Sequence, residues 1–78
     1  MSVQYRLVVA KKDERVEGPD DAAIVFTAPV EAVTSDGFDA TVEFMRGKVK
    51  ATGHSGEVLA ALRTGEATAA FSRLASQL

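Results

Sequence analysis

The stretch from Phe38 to Gly53 constrains this chain more than any other part: Phe38-Asp39-Ala40-Thr41-Val42-Glu43-Phe44-Met45-Arg46-Gly47-Lys48-Val49-Lys50-Ala51-Thr52-Gly53. An apolar cluster, a glycine corner, a short alternating run and a second glycine follow in immediate succession, and a helical pattern comes directly after. That order reads as helix, turn, strand, turn, helix. The first half carries two periods at once. Phe38, Ala40, Val42 and Phe44 alternate as in a strand, while Phe38, Val42 and Met45 fall at i, i+4 and i+7 as on a helix. Pattern leaves both open, although Asp39 near the start suits the positive end of a helix. Lys48 to Thr52 is a clearer strand, with Val49 and Ala51 inward and both lysines outward.

The preceding residues supply the partners for that strand. Val3 to Ala10 alternates with Val3, Tyr5, Leu7 and Val9 on one face, and Lys11-Lys12-Asp13-Glu14 is a charged tip suited to a hairpin. The return arm Arg15-Val16-Glu17 has Val16 as its inward candidate and ends in the turn-forming Gly18-Pro19-Asp20-Asp21. Ala22 to Thr27 reads as a buried strand with Ile24 and Phe26 on one face. Pro29 suits the first turn of a helix carrying Val30 and Val33 inward, with Gly37 as its stop.

After Gly53, His54 or Ser55 is placed to cap a helix with Glu57 in its first turn and Val58, Leu59 and Leu62 as its buried face. Gly65 breaks that helix. From Glu66 onward, Ala67, Ala70, Phe71, Leu74 and Leu78 form one amphipathic stripe. The expected fold is therefore α+β: a small, mainly antiparallel sheet with three or four helices packed on one face.

Composition limits what such a domain can be. Seventy-eight residues allow one domain, spanning 1–78, and a 46% hydrophobic, 26% charged chain is globular rather than disordered. A core of this size rarely supplies more than about 3–5 kcal/mol, so a supplement is expected. The absence of cysteine excludes disulfides, and the lone His54 has no Cys or second His with which to share a metal. A second subunit or a bound apolar ligand remains. The formal charge of −2 with mixed signs argues against nucleic acid, which rewards a basic face. No apolar run is long enough to span a membrane, and the N-terminus lacks the pattern of a signal peptide, so a cytoplasmic setting is expected.

Phe44-Met45-Arg46-Gly47-Lys48-Val49-Lys50-Ala51-Thr52-Gly53 resembles the sterol carrier protein family, small intracellular lipid-binding domains. In that family an aromatic residue, Met, any residue, Gly and a basic residue precede an alternating strand that ends in Gly. The likeness extends in element order from about Tyr5 to Leu62. It implies non-catalytic binding or carriage of an apolar ligand, such as a sterol, a fatty acyl chain or another lipid, with no cofactor. Two departures bear on this. The chain starts almost on its first strand, where family members carry one or two helices that help enclose an apolar tunnel, which suggests an open groove, a covering subunit or no ligand. His54 also stands where many relatives carry an acidic or amide residue, a change that concerns the helix cap.

The resemblance implies an apolar lining made of Phe26, Phe38, Val42, Phe44, Met45, Val49, Leu59 and Leu62. The same residues would equally serve as a filled core, and Met45 suits either role because its thioether adapts to varied surfaces. The alternative function is an interaction module that dimerises or docks to a partner protein, for which the face Ala67, Phe71, Leu74 and Leu78 is the candidate. That stripe either covers the sheet or meets a partner helix. Arg46, Lys48 and Lys50 form a local basic cluster that could meet a headgroup or simply protect an edge strand from aggregation. Gly53-His54-Ser55-Gly56 reads as turn and cap rather than anion site, since neither nucleotide-binding spacing is present. His54 and Ser55 have no third residue to orient the imidazole, and Asp20, Asp21, Asp36 and Asp39 have local work in turns and at helix starts. No catalytic residues are expected.

Overall fold

A computed structural model describes residues 2–35 and 37–78. In chain order these residues form β1 (Val3–Ala10), β2 (Asp13–Glu17), β3 (Ile24–Pro29), α1 (Val30–Val33), α2 (Ala40–Met45), β4 (Lys50–Thr52), α3 (Ser55–Arg63) and α4 (Glu66–Ser76). The strands make one sheet of order β2-β1-β3-β4, an α+β arrangement with the helices packed on one face.

Two of the three pairings are antiparallel, and the central one is not. β1 and β3 run parallel, with Tyr5 opposite Phe26 and Leu7 opposite Ala28. After the β1–β2 hairpin the chain passes round the start of β1 and joins the sheet on its other side. Backbone and side-chain hydrogen bonds fix this crossing: Ile24 N–H donates to the Ser2 carbonyl at 3.2 Å, and Ala23 N–H to Ser2 Oγ at 3.0 Å. Gly18 lies so close to β1 that a Cβ there would collide with the Val3 carbonyl oxygen, and its φ of 109° is itself unsuited to a side chain. Gln4, fully buried on the sheet's second face, donates from Nε2 to the Pro19 carbonyl at 3.0 Å and accepts from Arg6 Nε at 2.7 Å. A buried amide is tolerated because it is bonded on both sides.

The core lies between the sheet and the helices. Tyr5, Leu7, Ile24, Phe26 and Ala28 point toward Ala67, Ala70, Phe71 and Leu74 of α4. Tyr5 stacks on Phe26 at 5.7 Å between centroids, and Phe71 meets Tyr5 and Phe38 edge-on at 5.6 and 6.3 Å. Outside this core, Arg73 of α4 clamps the hairpin through Glu17 at 2.7 Å and also reaches Glu66 at 3.3 Å. Its hydrogen bond to Glu17, helped by Glu66, holds the guanidinium above its ordinary pKa. Burial pushes the Tyr5 phenol above its usual range, with the charges of Glu66 and Glu17 adding to the effect and Arg73 opposing it.

Several local expectations are corrected. Val16 is exposed, because the register sets it beside Arg6 on the face away from the helices. The third strand begins at Ile24 and runs to Pro29, rather than covering Ala22 to Thr27. Pro29 is extended, with ψ 147°, and stands as the cap before α1 instead of inside its first turn. As the last residue of a strand it loses no necessary hydrogen bond. α1 has only four residues and ends well before Gly37, in keeping with the low helix propensity of its valines. β4 is three residues long, Lys50 to Thr52, because the N–H groups of Lys48 and Val49 are taken by the Glu43 carbonyl.

The ambiguous stretch resolves as a helix. Asp39 caps α2, its Oδ1 accepting from Thr41 N–H at 2.9 Å and more weakly from Val42 N–H at 3.4 Å. Ala40 N–H donates to Thr68 Oγ1 of α4 at 2.9 Å. Orphan donors at the helix start are thus met by side chains, an outcome that a strand here could not provide.

Candidate functional site

The apolar residues expected as one lining are divided by the structure. Phe26, Val49 and Leu62 are buried in the core, and Phe38 and Phe44 are half-buried against it. Met45, Leu59 and Val42 stand outside, at 79%, 50% and 41% exposure. These eight side chains do not surround one internal cavity. The expected partner face is divided as well: Ala67, Phe71 and Leu74 are buried by the chain's own sheet and helices, and only Leu78 is exposed. Of the two roles open to that stripe, it takes the covering one.

The exposed residues Met45 and Leu59 line, together with Leu62, a groove between α2 and α3. Its volume is about 420 Å³, and Thr41, Gly56, Ala60 and Arg63 complete the lining. Helical phase explains the site. On α3, Val58, Ala61 and Leu62 face the core, whereas Gly56, Leu59, Ala60 and Arg63 recur at the same helical spacing on an adjoining stripe. This corrects the assignment of Leu59 to the buried face with Val58 and Leu62. On α2, Thr41 and Met45 lie one turn apart and form the opposite wall. Gly56 and Ala60 are too small to fill the gap between the helices.

Hydrogen bonds hold the two walls in place. Thr41 Oγ1 donates to the Leu62 carbonyl at 3.4 Å, while the Asp39 cap and the Thr68 contact fix the start of α2. At its other end, Gly47 N–H donates to the Phe44 carbonyl at 3.1 Å, and Lys48 N–H to that of Glu43 at 2.9 Å. The Phe44-Met45-Arg46-Gly47 corner therefore sets Met45 outward at the rim. Thr41, Gly56, Ala60 and Arg63 were not expected as lining from sequence, yet the spacing of the last three with Leu59 was there to be read.

A second, larger hollow of about 730 Å³ lies between α1 and α2, lined by Pro29, Glu31, Ala32, Ser35, Gly37, Val42, Glu43, Arg46 and Lys48. Charges of both signs line it, and its buried carboxylate, Glu43, is paired with Arg46 at 3.5 Å. Volume alone would favour this hollow, but a cleft lined by four charged side chains offers less to an apolar ligand than the smaller groove does. Lys48 and Lys50 of the basic cluster are exposed, the latter on the edge strand β4. His54 is the cap residue of α3 but makes no side-chain capping bond. Asp39 is a helix cap and Asp20 accepts from Gln4, while Asp36 lies outside the described residues. Among the described residues no three metal-ligating side chains gather, and no helix is long and apolar enough to cross a membrane.

No protein-family model matches the chain, and the searches of curated proteins and solved structures gave no significant match either.

Proposed function

We propose that this domain binds an apolar ligand non-catalytically in the open groove between α2 and α3. The observation that carries the reading is that two solvent-exposed apolar side chains, Met45 and Leu59, line one hollow of about 420 Å³ together with the buried Leu62. That volume falls within the usual range for small-molecule sites, roughly 300–1,000 Å³. Hydrocarbon is the ligand chemistry such walls reward. The resemblance of Phe44 to Gly53 to sterol carrier proteins supports a lipid or another hydrocarbon-bearing small molecule, and the cysteine-free composition fits a cytoplasmic setting.

An open groove removes only part of a ligand from water. Each buried methylene contributes about 0.8 kcal/mol, so a chain that buries about six of them gains about 5 kcal/mol, which corresponds to a dissociation constant in the high micromolar range. Selectivity among hydrocarbon shapes should be broad, because apolar contact is non-directional.

The test is a titration with octyl glucoside, an uncharged single-chain amphiphile, below its micelle concentration and followed by isotope-edited NMR. Saturable shifts confined to the amides of Thr41 to Arg46 and Gly56 to Arg63 are the expected result. Shifts that fail to saturate, or that spread evenly over the sheet, would overturn the reading.

A second reading is favoured by one feature, the position of Met45 at the rim rather than the floor. A flexible thioether standing into solvent suits docking to a partner protein as well as to a lipid. Such docking would use this same groove, since most of the α4 stripe is already covered.

A further inference from the structure

We infer that the ligand of the α2–α3 groove is a single-chain amphiphile with an anionic head, and that Arg63 is the residue that recognises that head. The inference rests on the groove reading above and narrows its ligand class. Every lining residue of the groove is uncharged except Arg63. Elsewhere on the surface Arg6, Arg46 and Arg73 each meet a carboxylate, at 3.1, 3.5 and 2.7 Å, whereas Arg15, on the solvent-exposed strand β2, lines neither hollow. Arg63 makes no ion pair or side-chain hydrogen bond among the described residues.

A guanidinium beside apolar walls has two uses at once. Its methylene stem extends the hydrocarbon surface while its planar fork stays in water. That fork matches the two oxygens of a carboxylate or a phosphate, and such charge-assisted pairs are stronger than neutral ones. Arg46, which follows Met45 directly, is paired with Glu43 and lines the neighbouring hollow, so the charge of the groove itself is that of Arg63. The acidic residue of α3, Glu57, lies in its first turn, at the opposite end from Arg63. A neutral head, such as a sterol hydroxyl, would leave the guanidinium with an ordinary hydrogen bond only. Arg63 also sits in the last turn of α3, where a cation suits the negative end of the helix. That structural role affects stability and gives no discrimination among ligands, so a selectivity experiment separates the two.

The experiment compares octanoate, octyl phosphate, octyl glucoside and octyltrimethylammonium, each below its micelle concentration, by the same NMR titration on wild type, Arg63→Gln and Arg63→Lys. The expected result is that both anions bind at least about tenfold tighter than the glucoside, with the cation weakest. Arg63→Gln should bring the anions down to the level of the glucoside without changing glucoside affinity, and Arg63→Lys should keep part of the preference. Tighter binding of one anion than the other tells carboxylate from phosphate as the preferred head. Equal affinity for anion and glucoside in the wild type, or an anion preference that survives Arg63→Gln, would overturn the inference and leave the groove reading standing. Absence of groove shifts with all four ligands would remove both. Should Arg63→Gln fail to fold, the wild-type ranking and Arg63→Lys decide the matter.

Discussion

The face of α4 and the wall made by α2 and α3 use similar apolar residues to opposite ends. Along α4, Ala67, Ala70, Phe71 and Leu74 reach the sheet and are sealed there by Tyr5 and Phe26, with Arg73 clamping the outside to Glu17. Across the molecule, Met45 and Leu59 reach only each other's neighbourhood, because Gly56 and Ala60 leave the space between their helices unfilled. The first region shows hydrophobic residues whose removal from water stabilises the fold. The second shows residues of the same kind left in water, where they contribute little to the fold and remain available to something else.

The largest effect that tests this division is Phe71→Ala. Removing a fully buried phenylalanine that touches two other rings costs about 3–5 kcal/mol, which is the whole of what a core this small supplies. The variant should be largely unfolded at room temperature, as read by circular dichroism and by loss of dispersed amide resonances. A cooperative unfolding transition close to that of the wild type would mean that α4 is not the principal seal of the core.

How much of this was legible in the chain differs between the two regions for a physical reason. The α4 stripe announces itself by period, and Gly65 and Gly53 mark the helix and strand ends, so the element order from Lys48 onward follows from sequence. Period says which residues share a face and not what covers it. Leu59 shows the difference, since it neighbours Val58 in sequence and Leu62 one turn on, yet it lies on the adjoining stripe with Gly56, Ala60 and Arg63, and what faces that stripe is set by where α2 packs. The stretch from Phe38 to Met45 carried both periods equally. Its helical outcome is decided by the Asp39 cap and by the bond from Ala40 N–H to Thr68 Oγ1, a partner distant in sequence. The parallel β1–β3 pair was equally out of reach, because alternation is the same in either direction and the crossing depends on Gly18 passing close to Val3. Of the groove, Met45, Leu59 and Leu62 were foreseen as lining, while Arg63 was not, because a lone arginine at a helix end looks like surface until its neighbours are placed.

A smaller effect on the sealed side is alkaline destabilisation through Tyr5, the chain's single tyrosine. Burial and the charges of Glu66 and Glu17 raise its folded-state pKa above the unfolded value of about 10. The stabilising contribution of the neutral phenol is therefore complete below about pH 10 and is lost as pH rises through the folded-state pKa, because the unfolded chain gives up the proton first. Tyrosinate absorbance should rise with a midpoint above that of a free phenol, and Tyr5→Phe should remove this part of the alkaline loss of stability. A midpoint at the ordinary value would show that the ring is solvated and that the sealed region is less sealed than the α2–α3 wall suggests by contrast.

The smallest effect on stability, and the sharpest test of the comparison, belongs to Met45→Ser combined with Leu59→Ser. Both side chains are at least half exposed, so each change should alter stability by no more than about 0.5 kcal/mol, which in a domain of this size moves the melting temperature by only a few degrees. The same pair of changes removes most of the apolar rim and should abolish the octyl glucoside shifts at Thr41 to Arg46 and Gly56 to Arg63. Loss of binding with the fold intact would separate the two regions by function as well as by burial. A destabilisation approaching that of Phe71→Ala would instead mean that in solution Met45 turns inward to fill the space above Gly56 and Ala60, and that the groove is closed core rather than a place for a ligand.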